Sequence, residues 1–168
     1  VEEAPKSSTS EDMELGMNKA QILHLLGSSN YAGDVSTTAV KELFQNSFDA
    51  LKEAMWKKHI KGGRIDIDVD TKNRTITVND NGVGMTPETV KSAFFTVGGT
   101  KKDLPPELRS GGLGLAKIQF MLASENMSVV TVKDGVKTTV TATAEQIANG
   151  KFPIKTEKTS EANGTRVE

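Results

Sequence analysis

The 168-residue chain has no cysteine, two histidines, one tryptophan and one tyrosine. Without thiols there is neither a disulfide framework nor thiolate chemistry, and His24 and His59 alone are too few to build a histidine metal site. No sign of charge dominates. Twenty-one basic against 22 acidic residues leave a formal net charge of −1, so bulk electrostatics argue for neither nucleic acid nor a membrane surface as partner. No run approaches the roughly 20 apolar residues of a membrane-spanning helix, and the opening "VEEAPKSSTSEDME" is too acidic for a signal peptide. These absences predict a soluble, cytoplasmic chain of one compact domain. The chain does not begin with methionine, and "NGTRVE" reads as a strand just begun, so it is expected to be a piece of a longer protein with further domains as partners.

Residues 1–15 are polar and rich in Ser, Thr and Glu, which predicts a flexible N-terminal arm; the domain proper is expected over 16–168. "MNKAQILHLLG" predicts a short amphipathic helix carrying Ile22, Leu23, Leu25 and Leu26 and stopped by Gly27. A longer helix is expected from Ser36, as N-cap, to about His59, with Val40, Leu43, Phe44, Ser47, Leu51, Ala54 and Met55 facing the core and Gly62-Gly63 ending the helical region. "RIDIDVDTKNRTITVND" alternates with period two around "TKNR" and predicts an antiparallel hairpin. Thr86-Pro87-Glu88 reads as the cap, first-turn proline and first-turn acid of a short helix to about Phe95. Residues 97–114 hold five glycines and two prolines and predict a long functional loop. "LGLAKIQFMLASE" resumes a helix, "MSVVTVKDGVKTTVTAT" turns back on itself at Asp134-Gly135, and "NGTRVE" opens a last strand. This order predicts an α+β fold: a two-layer sandwich with helices on one face of a mixed, mainly antiparallel sheet.

Three stretches carry candidate chemistry. Glu42, Asn46 and Asp49, at i, i+4 and i+7, share a narrow stripe on the long helix, expected opposite its aliphatic side. The ordinary reading is a solvated polar face. The sharper one is a cleft wall, with a carboxylate to activate water and an amide oxygen for a hard cation such as Mg²⁺. The stripe alone does not choose. In "DNGVGM", a tight turn accounts for Asn81-Gly82 but not for Gly84 or the placement of Asp80. A carboxylate at a strand end can accept from an exocyclic amine, and a charge-assisted bond worth about 1.5–3 kcal/mol is enough to select adenine over guanine. Gly82 and Gly84 would let backbone pass close to a planar base. "SGGLGLAK", at the entrance to a helix, exposes unpaired N–H groups suited to phosphate, although a flexible loop explains one such run equally well. Neither GxxxxGK[ST] nor a GxGxxG opening a βαβ unit occurs.

Taken in order, "ELFQNSFDA", "DNGVGM", "SGGLGLAK" and Gly164-Thr165 resemble the N-box, the two glycine boxes and the final motif of the GHKL ATPases: the gyrase B, heat-shock chaperone, histidine kinase and MutL group with its Bergerat fold. The resemblance spans residues 36–167. It implies ATP and Mg²⁺ as cofactors, Glu42 as the general base, and Asn46 as the Mg²⁺ ligand. It also implies Asp80 on the adenine amine with Thr165 and a water assisting, Gly82 and Gly84 lining the base, Met85 packed near it, and Asp49 at the pocket edge. Residues 96–114 would be an ATP lid; Gly112, Leu113, Gly114 and Leu115 would offer amides to the phosphates, with Thr100, Lys101 and Lys102 as further contacts.

The glutamate four residues before Asn46, with Asp49-Ala50 after it, resembles the hydrolysing branches, while "GGLGLAK" resembles the kinases' second glycine box. The function expected is ATP binding and slow or partner-dependent hydrolysis, with lid closure coupled to homodimerisation or conformational change. A histidine-kinase catalytic domain, or a nucleotide-binding module without turnover, stand as alternatives. Nucleic acid as a partner finds no support in the charge.

Overall fold

A computed structural model of the chain describes residues 8–14, 35–95, 121, 124–149 and 151–168. Period-two segments form the sheet: β1 (Ser8–Glu14), β2 (Ile65–Asp70), β3 (Thr75–Asp80), β4 (Asn126–Lys133), β5 (Val136–Thr143), β6 (Lys151–Lys158) and β7 (Gly164–Val167). They lie in the order β1-β6-β5-β4-β7-β3-β2. Every pairing is antiparallel. The fold is therefore α+β, consistent with the Bergerat fold, and the parallel component of a mixed sheet is absent among the described residues.

The last strand decides the geometry of the site. β7 inserts between β3 and β4 instead of adding at an edge, so Thr165 stands beside Asp80 on one side and Thr131 on the other. The register continues the row through Ile65, next to Asp80, and Thr138, next to Thr131. One row of mostly polar side chains thus crosses a sheet face otherwise packed with Val78, Val129, Val140, Phe152 and Ile154.

The long helix, α1 (Val35–Trp56), packs Leu43, Leu51 and Ala54 inward. It ends at Lys58, which adopts left-handed φ of 59°. The Lys58 N–H donates to the Met55 carbonyl at 3.0 Å and the His59 N–H reaches back to Ala54 at 2.9 Å, the paired bonds of a Schellman cap with lysine in the position glycine usually holds. The helix therefore stops before Gly62-Gly63. Phe44 and Met55, expected in the core, are 43% and 49% exposed. At 100° per residue they sit on the flank of the buried row with Phe48, where the Phe44 and Phe48 rings stack at 6.2 Å.

After β3, α2 (Pro87–Thr89) is capped by Thr86, whose hydroxyl accepts the Thr89 N–H at 3.1 Å. The helix then widens into a π-turn, Val90–Phe94, closed by the Phe95 N–H on the Val90 carbonyl at 3.3 Å. That turn drives Val90, Phe94 and Phe95 into the core. Phe95 meets Phe94 and Phe152 edge-on at 5.0 and 4.9 Å, contacts worth about 0.5–1.5 kcal/mol each beyond area burial. Fully burying a phenylalanine contributes about 1.5–3 kcal/mol, so this trio anchors α2 to β6.

Three elements differ from the sequence reading. Ser8–Glu14, inside the segment expected to be a flexible arm, is strand β1, paired along its length with β6. α3 (Ala144–Asn149) and β6 were not anticipated. The helices expected at 17–26 and from 113, and the loop 97–114, lie outside the described residues except Met121, Ser124 and Glu125; Met121 is buried in the core.

Candidate functional site

Asp80 ends β3 with its carboxylate buried on the helix side of the sheet. Its Oδ1 accepts the Gly82 N–H at 2.9 Å, and the Ser47 hydroxyl of α1 and the Thr165 backbone N–H also reach it. Burial nevertheless pushes its pKa above the ordinary carboxylate value, against the pull of those donors. Desolvation wins because a charge in the interior loses more hydration than three hydrogen bonds return. Asp80 is thus an acceptor with its proton affinity raised, held rigidly, that gains from a further donor.

The rest of "DNGVGM" is explained residue by residue. Asn81 is not a turn residue but a clamp: its Oδ1 accepts the Arg64 N–H at 2.7 Å and its Nδ2 donates to the Gly62 carbonyl at 3.3 Å, fixing the approach to β2. Neither Asn81 nor Gly82 has positive φ; Gly84 does, at 67°. A β-carbon on Gly82 would stand 2.7 Å from the Ala50 β-carbon of α1, and the Val83 N–H donates to the Ala50 carbonyl at 3.3 Å. A β-carbon on Gly84 would strike the Val132 carbonyl oxygen of β4. Both glycines therefore draw this segment against protein backbone, one toward the helix and one toward the sheet. Met85 follows, partly buried, with its N–H on the Thr131 hydroxyl at 2.9 Å.

Burial grades along the α1 stripe. Asp49 is fully buried, with the Lys52 ammonium 2.9 Å from its Oδ1, while Glu42 and Asn46 are half-buried. The stripe lies on the side of α1 away from the aliphatic row, yet Asp49 within it is buried, so it is not a fully solvated face. At 100° per residue, Asn46 and Asp49 fall some 100° and 160° from Ser47, the side chain that bonds Asp80. The Ser47–Asp80 bond and the Ala50–Gly82 contact thus join the helix bearing Glu42 and Asn46 directly to the strand end bearing Asp80.

Sequence reasoning missed Ser47 and Thr131. Ser47 was legible as the one hydroxyl in an apolar row; Thr131, in "VVTV", is indistinguishable from an ordinary strand threonine. Among the described residues no three His, Cys, Asp or Glu side chains are grouped to hold a metal. A cage for a bare cation is not offered by that donor set. One amide and one carboxylate on a helix do suit Mg²⁺ that keeps most of its water and arrives with phosphates. The buried acceptor Asp80 suits the amine edge of a purine. A hollow of about 500 Å³ borders Asp80 and Thr165 but is lined mainly by outward-facing residues such as Asn79, Val130 and Arg166; their parity along the strands puts them on the opposite sheet face from Val78 and Val129. It is not the junction described above. Thr100, Lys101, Lys102, Gly112, Leu113, Gly114 and Leu115 lie outside the described residues.

Residues 34–167 match the family model described as histidine kinase-, DNA gyrase B-, and HSP90-like ATPase. The chain belongs to that family: it holds an ATP-binding domain of the GHKL type. It is similar to the chaperone protein HtpG of Geobacter metallireducens, at 29% identity over 88% of this chain and 25% of the relative. Similarity to HtpG of Coxiella burnetii is 29% over 80% of this chain and 24% of the relative; to that of Francisella tularensis subsp. novicida it is 31% over 88% and 26%. The chain spans about a quarter of the length of these relatives. No helix among the described residues is long and apolar enough to cross a membrane.

Proposed function

We propose that the chain binds ATP with Mg²⁺ at the α1–β3 junction and hydrolyses it, as the nucleotide-driven part of a larger, chaperone-like protein that closes or dimerises on binding. The observation that carries the reading is Asp80: a buried carboxylate, proton affinity raised by burial, held by Gly82, Thr165 and Ser47. An amine donor from adenine satisfies it. Family membership and the likeness to HtpG support the same reading.

In this reading Asp80 and Thr165 take the purine edge, Gly82, Gly84 and Met85 line it, and Asp49 stands at the pocket edge. Glu42 accepts a proton from the attacking water, a role worth about 10²–10⁴ in rate. Asn46 offers its amide oxygen to Mg²⁺, which when bound neutralises phosphate charge. Thr100, Lys101, Lys102 and residues 112–115 supply the phosphate end.

Calorimetry with a non-hydrolysable ATP analogue, with and without Mg²⁺, tests binding, and phosphate release tests turnover. Glu42→Ala is expected to cut turnover by roughly 10²-fold or more while Kd for the analogue stays within about threefold. Equal turnover in the variant would remove Glu42 from the chemistry and leave a binding module.

A further inference from the structure

Thr131 lies at the centre of the polar row and is fully buried on β4. Its hydroxyl meets three groups from two other segments. It accepts the Met85 N–H at 2.9 Å, stands 3.1 Å from the Gly164 carbonyl oxygen, and lies 2.9 Å from the Thr165 hydroxyl oxygen. It turns away from Thr138, its other neighbour in the row, whose buried hydroxyl has no hydrogen-bond partner among the described residues.

A hydroxyl has one proton and two lone pairs. The Met85 N–H occupies one lone pair, so the single proton of Thr131 has two destinations. Given to the Gly164 carbonyl, it leaves Thr165 to donate back to Thr131, and Thr165 then shows only acceptors beside Asp80. Given to Thr165, it frees the Thr165 proton for a ligand. Thr131 therefore sets which hydrogen-bonding sense Thr165 presents. Adenine offers an amine donor next to a ring-nitrogen acceptor; guanine offers the reverse pattern. An ionised Asp80 that accepts, next to a Thr165 that donates, complements adenine alone.

We propose that Thr131 is a positioning residue for purine recognition: by donating to Thr165 it turns that hydroxyl's proton toward the adenine ring nitrogen, directly or through one water, while bracing Met85 with one of its lone pairs. The proposal rests on the assignment of Asp80 to the adenine amine made above.

The test compares a non-hydrolysable ATP analogue with its 1-deaza-adenine counterpart, in which the ring nitrogen is a C–H. Thr131→Val keeps the shape of the side chain and removes its hydroxyl. It is expected to weaken the adenine nucleotide about tenfold, the scale of one lost hydrogen bond, and to leave the 1-deaza compound within about twofold. Thr131→Ser is expected to restore adenine binding to within about twofold of the parent chain. Equal losses for both nucleotides in the valine variant mean a purely structural residue and overturn the proposal. Should the valine variant not fold, the hydroxyl protons of Thr131 and Thr165 in the unaltered chain decide by NMR: they shift on adding the adenine nucleotide and not its 1-deaza counterpart, or the proposal is wrong. A parent chain whose adenine affinity is untouched by Asp80→Asn refutes the purine assignment beneath, and this proposal with it. Asp80-dependent binding with an indifferent Thr131→Val refutes the proposal alone.

Discussion

The two ends of β3 are built on one local plan and set in different surroundings. At its entrance, Asp70 accepts the Lys72 N–H at 2.9 Å, and at its exit Asp80 accepts the Gly82 N–H at 2.9 Å. Four residues after each aspartate the chain takes a left-handed conformation, Arg74 at φ 56° and Gly84 at φ 67°. The entrance is exposed, and the exit is wedged between α1 and β4. Hydrogen bonds from Asn73 hold the Asp70 carboxyl below its ordinary pKa, whereas burial lifts that of Asp80. The same aspartate-to-backbone contact gives a turn in water and a buried acceptor in the interior; the surroundings, not the motif, separate them.

The sharpest way to break the comparison is at the left-handed residues. Alanine at position 84 must adopt positive φ, at about 1–2 kcal/mol, and must push its β-carbon into the Val132 carbonyl, an overpacking of about 1–3 kcal/mol. Gly84→Ala is therefore expected to lose about 2–5 kcal/mol in urea unfolding. Arg74→Gly relieves the same backbone strain but adds freedom to the unfolded chain, so it should stay within about 1 kcal/mol of the parent. Comparable losses at the two sites would mean that burial does not distinguish these turns.

Next in size is the pair of aspartates. Asp80→Asn removes the charged acceptor and is expected to weaken ATP by about 1.5–3 kcal/mol, roughly 10- to 150-fold in Kd. Asp70→Asn, at the far end of the hairpin, should leave Kd unchanged. Isothermal titration of both variants with the same analogue measures the contrast; similar losses in the two would dissolve the assignment of Asp80.

How far the sequence could be read follows the same division. The β2–β3 and β4–β5 hairpins were legible because alternation and the Asp134-Gly135 turn, at φ 49° and 78°, state the register locally. β6 was not: Pro153 breaks the run and only Phe152 and Ile154 are buried, so local propensity argues against a strand that β1 and β5 impose from both sides. β1 itself is polar apart from Met13 and is held by backbone pairing that composition does not report. Around the site, the presence of Asp80 and Gly84 in one motif was readable, but their reasons were not. Gly82 is demanded by Ala50, 32 positions earlier, and Gly84 by a carbonyl on β4. Such long-range close approaches leave no periodic trace. The angular count for α1 needed only its buried row to be located, and Phe44 and Met55 misled it because exposed aromatics and methionines mimic core residues in a helical pattern.

The smallest expected effect is the most direct comparison of the two carboxyls: their opposite pH dependence. Asp80 has its folded pKa raised, so between the unfolded value of 3.8 and that raised value the folded chain holds the extra proton. Stability then falls as pH rises through this window, because ν for the folded state exceeds ν for the unfolded one. Asp70 has its folded pKa lowered, so its contribution is present above 3.8 and is lost as pH falls through the depressed value. Urea midpoints measured from pH 3 to 7 should show the parent chain losing ground to Asp80→Asn as pH rises, and gaining on Asp70→Asn over the lower part of the range. Saturating ATP analogue should flatten the first trend, since an amine donor favours the ionised carboxylate and draws the Asp80 pKa back down. A first trend that keeps its slope with nucleotide bound would place the purine away from Asp80 while leaving the burial argument intact.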